Sequence, residues 1–95
     1  MAEQEKTAAV REYLQAEFSG FSIEDQHDPK RQMHVFKVGS QDRLHNVLIA
    51  DDFLNKHDTW EIPDLLRKFL LAEHMREMSS TPLIVTNNGL ELEYE

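Results

Sequence analysis

The chain has 95 residues, of which 40% are hydrophobic and 29% charged, with a net charge of −8 and no cysteine. These numbers describe one globular domain over residues 1–95 and exclude wholesale disorder, disulfides, thiolate nucleophiles and cysteine-held metal centres. The negative charge opposes long-range attraction to nucleic acid and anionic lipid, no apolar run approaches the roughly 20 residues that span a bilayer, and the polar start MAEQEKTAAV has no apolar signal core.

A first helix is predicted from about Glu3 to Phe18. Val10, Tyr13, Leu14 and Phe18 recur at the spacing of one helical face, while Arg11, Glu12, Gln15 and Glu17 fall largely on the other. Ser19-Gly20 supplies a stop, glycine being free to take left-handed backbone. In a first strand, Phe21 and Ile23 alternate with Ser22 and Glu24. His27-Asp28-Pro29-Lys30 reads as a turn, with Asp28 placed to bond the local backbone. A second strand follows from about Arg31 to Val38, then a turn at Gly39-Ser40-Gln41-Asp42, then a third strand from Arg43 to Ala50. The second and third strands carry apolar residues on both parities, as a central place in a sheet explains, and the pattern leaves open which face is covered.

Asp51-Asp52 opens a short turn through Phe53 and Leu54, its carboxylates suited to the free N–H groups of a helix start. A long helix is predicted from about Ile62 to Met78. Pro63 suits its first turn, and Ile62, Leu65, Leu66, Phe69 and Leu70 form an apolar stripe that Met75 and Met78 extend. Ser79-Ser80 reads as a loop. Two final strands flank Asn87-Asn88-Gly89 and form a hairpin with a two-residue turn at Asn88-Gly89. That turn pairs Thr86 with Glu91, Val85 with Leu92 and Leu83 with Tyr94. It puts Leu83, Val85, Leu92 and Tyr94 on one face and Ile84, Thr86, Glu91 and Glu93 on the other. The expected fold is α+β: a two-layer sandwich in the order α-β-β-β-(short α)-α-β-β, its sheet mainly antiparallel and its helices on one face.

Five histidines invite a search for chemistry: His27, His34, His45, His57 and His74. No pair has the spacing of a helical metal site. A two-residue loop at Gly39-Ser40 would set His34 opposite His45, where two imidazoles and a carboxylate hold zinc. A longer loop separates them, and that is the arrangement expected, with no metal and no cofactor. The His27-Asp28 and His57-Asp58 pairs fall in predicted turns, where Asp28 serves a turn and Asp58 a helix start. No serine lies in a nucleophile elbow, and three glycines provide no phosphate-cradling loop.

Two surface features remain. Glu91, Glu93 and Glu95 alternate on the last strand, where charge discourages strand-to-strand aggregation or grips a basic partner. Trp60 is the single tryptophan. Its first expected role is to anchor the edge of the core where the chain enters a helix, and tryptophan is also enriched in binding hot spots. Trp60, Glu91 and Glu93 are therefore the candidate partner-contacting residues.

The element order resembles two known groups. Its first five elements resemble the double-stranded-RNA-binding domain, but the helix start that is basic in that group reads Trp60-Glu61-Ile62-Pro63-Asp64 here, so the likeness does not extend to RNA binding. The full order, small size and acidity resemble the secretion-chaperone fold, whose members dimerise and hold extended client segments; the predicted elements stop before that group's final helix. Both likenesses rest on element order alone. The function expected is a non-enzymatic, cytoplasmic protein-binding domain of adaptor, chaperone-like or regulatory kind, with a protein partner or a second copy of itself and without nucleic acid or membrane. The alternatives are a small enzyme or ligand-binding domain using histidine and carboxylate groups, and an acidic inhibitor or nucleic-acid mimic.

Overall fold

The computed structural model describes residues 2–78 and 81–92. Helix α1 (Ala2–Glu17) is followed by strands β1 (Ser22–Asp28), β2 (Met33–Gly39) and β3 (Leu44–Ala50). Helices α2 (Asp51–Lys56), α3 (Ile62–Lys68) and α4 (Leu71–Glu77) then lead to β4 (Leu83–Thr86) and β5 (Gly89–Leu92). The strands form one sheet in the order β1-β2-β3-β4-β5, antiparallel except where β3 meets β4. The α+β sandwich is as expected.

The apolar face of α1 is the predicted one: Val10, Tyr13, Leu14 and Phe18 are all buried. Gly20, at φ +87°, takes the left-handed backbone that ends the helix. The core lies between the helices and one side of the sheet, where Phe36 and Val38 of β2, Val47 and Ile49 of β3, and Leu83 and Val85 of β4 meet Leu14, Phe53, Leu66 and Met75. That settles the double parity of β2 and β3. Val35 and Leu48 point to the opposite side, where Leu48 is flanked by Val35 and Ile84 on its neighbouring strands. β1 extends through Asp28, so the turn starts later than the sequence suggests. Asp28 does serve it, its Oδ1 accepting from the N–H groups of Lys30 and Arg31 at 3.2 and 3.3 Å. The short turn at Asp51 is a full helix to Lys56. Its N-cap is Ala50, which has no side-chain acceptor to offer, and the Asp51 carboxylate in its first turn reaches His27.

The predicted long helix is broken. Leu70 sits at φ 58°, in left-handed backbone, and separates α3 from α4. At about 100° per residue, Leu71 on an unbroken helix would point roughly 180° away from Ile62. The break turns Leu71, Ala72 and Met75 inward beside Ile62 and Leu66, all five essentially out of water. Leu70, counted in the apolar stripe from its spacing, is left 52% exposed. A left-handed leucine costs about 1–2 kcal/mol, which the burial of Leu71 and Met75 outweighs at about 1.5–3 kcal/mol each. Tyr13 finishes the joint. Its hydroxyl accepts from the Ala72 N–H at 3.2 Å, satisfying a free donor in the first turn of α4. Burial is the largest influence on this phenol and raises its pKa above the ordinary value, keeping it protonated.

The terminal hairpin is formed, but its register is shifted by two. Thr86 pairs with Gly89, Val85 with Leu90, Ile84 with Glu91 and Leu83 with Leu92, so the turn is Asn87-Asn88. Of the turn residues only Gly89 has positive φ, so the pair of positive φ values that a turn at Asn88-Gly89 needs is not met. The Thr86 hydroxyl closes the turn instead, bonding the Gly89 carbonyl at 3.0 Å and the Asn88 N–H at 3.1 Å. A shift of two preserves the faces: Leu83 and Val85 are buried and Glu91 exposed. Ser79, Ser80, Glu93, Tyr94 and Glu95 lie outside the described residues.

Replacing Tyr13 with Phe orphans the Ala72 N–H inside the joint. We expect a loss of about 1–3 kcal/mol in urea unfolding with an unchanged m-value.

Candidate functional site

Trp60 is not at the edge of the core. It is 73% exposed, which replaces the anchoring role expected from its place before a helix. The turn leading into α3 explains this. The Asp58 N–H donates to Glu61 Oε1 at 2.8 Å, and the N–H groups of Glu61 and Ile62 return to the Asp58 carbonyl at 3.1 and 3.3 Å. Asp58 thus starts the turn through its backbone. Ile62 and Leu66 supply the burial that anchors α3, leaving the indole in water. Beyond it, the solvent side of α3 carries Asp64, Arg67 and Lys68. Arg67 Nη1 donates to Asp64 Oδ1 at 2.8 Å. Leu70, also exposed, follows just beyond the other end of α3.

The histidines sort into different environments. His34 and His45 are not opposite each other: a four-residue loop sets His34 against Ile49 and His45 against Val38. His34 instead faces His27 across β1 and β2, the ring centroids 6.1 Å apart. His34 Nε2 meets Asp25 Oδ2 at 2.7 Å, His27 Nε2 meets Asp51 Oδ2 at 2.8 Å, and Arg11 pairs with the other oxygen of Asp25. This cluster went unseen in the sequence because β1 was ended too early. With β1 running through Asp28, His27 pairs with His34 and Asp25 with Phe36. Among the described residues, no three His, Asp or Glu side chains converge to hold a metal ion. Neither His-Asp sequence pair is a structural pair: His27 turns to Asp51, and His57 Nδ1 lies 3.4 Å from Glu61 Oε1.

His45 is the one buried histidine among the described residues, 3% exposed beside the rings of Phe18 and Phe21. Its Nδ1 has no hydrogen-bond partner. Burial lowers its pKa first and the Arg43 charge next; the ring's bond to the Met75 backbone works the other way, and Arg76 adds a further lowering. Of the predicted glutamates, Glu91 is exposed on β5 across from Ile84, and Glu93 lies outside the described residues.

Neither the family models, nor the curated proteins, nor the solved structures contain a match to this chain. The reading of the site therefore rests on its own residues. No helix among the described residues is long and apolar enough to cross a membrane.

Two outcomes test these environments. Trp60→Ala should leave thermal stability within about 0.5 kcal/mol of wild type, as for an exposed side chain; a loss of several kcal/mol would restore the anchoring role. For His45, the unfolded chain binds a proton near pH 6.5 while the folded chain, with its lowered pKa, does not. Its contribution is thus fully present above pH 6.5 and is lost as pH falls below that value toward the folded pKa. Tm compared at pH 7.5 and 5.5 should fall less in His45→Leu than in wild type, since the other histidines are common to both.

Proposed function

We propose that this chain is a non-catalytic protein-binding domain, of adaptor, chaperone-like or regulatory kind, and that the surface of α3 with Trp60 is where it binds. The exposure of Trp60 carries this reading. A tryptophan with most of its ring in water forgoes the largest apolar burial available to any residue, and rigid aromatic side chains of this kind dominate binding energy at protein interfaces. Leu70 supports it, since the fold places a second large apolar side chain in water at the other end of the same helix. A second copy of the chain is among the partners this surface suits. The acidity is compatible with the expected cytoplasmic setting.

A pull-down from lysate of the source organism, with wild type and Trp60→Ser as paired baits, tests the proposal. A protein captured by wild type and lost with Trp60→Ser, both baits melting alike, is the expected result. Equal capture by both baits removes Trp60 from the binding surface.

The small-molecule alternative has one specific observation in its favour, the two carboxylate-held imidazoles of His27 and His34. His27 and Asp51 border an open depression of about 700 Å³ that also includes Arg31, Met33 and Asn55. An imidazole oriented by a carboxylate suits acid–base work. A metabolite screen read on the imidazole resonances of His27 and His34 tests this alternative, which an empty screen would end.

A further inference from the structure

Trp60 and Leu70 lie at opposite ends of α3, each more than half exposed. The charges between them are ordered along the helix: Asp64 toward the Trp60 end, Arg67 and Lys68 toward the Leu70 end. An acidic and a basic end, each flanked along the chain by one large exposed apolar side chain, form an order that is complementary to itself when turned about a two-fold axis. An antiparallel second copy brings its Leu70 to Trp60 and its Lys68 to Asp64, and the same contacts recur in mirror order on the other side of the axis. A parallel arrangement would set Asp64 against Asp64 and Lys68 against Lys68, which like-charge repulsion opposes.

We infer that α3 is a homodimer interface in which two copies pack antiparallel, Trp60 of each against Leu70 of the other. This rests on the reading of Trp60 as a binding residue and names its partner. It also gives a role to an exposed leucine held in left-handed backbone, a conformation that Asn or Gly takes more readily. The contact is one short helix long, far smaller than the roughly 1,600 Å² of a standard interface, so the dimer is reversible and its population depends on concentration.

The protein supplies its own probe, because Trp60 is its only tryptophan. Light scattering and tryptophan emission are followed together over a dilution series. The mass should double as concentration rises, and the emission should shift to the blue over the same range as the indole leaves water. Asp64→Lys and Lys68→Glu each weaken the dimer about tenfold, since the two-fold axis makes each reversal act twice. An equimolar mixture of the two variants restores it, because each copy then offers the charge the other lacks. Leu70→Asn keeps the backbone and weakens the dimer as well. A chain that stays monomeric throughout, a dimer with unshifted emission, or variants whose mixture does not recover would each overturn the inference. A monomer that still captures a lysate protein through Trp60 would leave the binding reading standing without the homodimer.

Discussion

A helix that continued straight from Ile62 could not bury both Leu66 and Met75 against the same sheet, and the rest of the helical layer depends on how that conflict is resolved. The chain breaks at Leu70, accepts left-handed backbone there, and starts α4 with Leu71 and Ala72 facing inward. The break creates a helix start with free donors, and Tyr13 of α1 supplies the acceptor. α1 and α4 are therefore joined by a single buried hydroxyl as well as by apolar contact. Exposure of Leu70 follows from the same event, so the residue that completes the proposed interface is placed by the demands of the core.

Charge organises the two ends of the molecule differently. At one end, Asp25 and Asp51 hold His34 and His27, with Arg11 on the far side of Asp25. At the other, His45 is kept among aromatic rings and close to cations. The Arg76 guanidinium lies 5.0 Å from the Phe18 ring centroid while donating to the Glu17 carbonyl at 2.8 Å. The carboxylate-held imidazoles and the buried one thus meet different surroundings within a single sheet.

Much of the fold was legible in the sequence where one physical signal dominated. Val10, Tyr13, Leu14 and Phe18 marked the buried face of α1, and Gly20 its end, because helical periodicity and left-handed backbone leave few alternatives. The faces of the terminal hairpin were readable from strand alternation, but its register was not. That depended on the Thr86 hydroxyl, a side-chain bond that competes with the turn preferences of Asn-Gly. The break at Leu70 escaped because its cause is tertiary: the run Phe69-Leu70-Leu71-Ala72 is apolar in either register, and only the position of the sheet decides which residues turn inward. Trp60 was misread for a related reason. Residue type and place before a helix suggest an anchor, yet Ile62 and Leu66 already fill that role. The pairing of His27 with His34 was lost when His27 and Asp28, the last two residues of β1, were read as part of a turn.

The parallel contact between β3 and β4 divides the sheet by origin. β1, β2 and β3 are neighbours along the chain and pair through short turns, whereas β4 reaches β3 only after α2, α3 and α4 have been laid down. Closing that long excursion costs conformational entropy that the short turns avoid. The meander is thus the local part of the sheet, and the β4–β5 hairpin joins it only through the contact of β4 with β3. The hairpin's place in the sheet therefore depends on a pairing between segments far apart in the chain, while the meander's pairings are all between sequence neighbours.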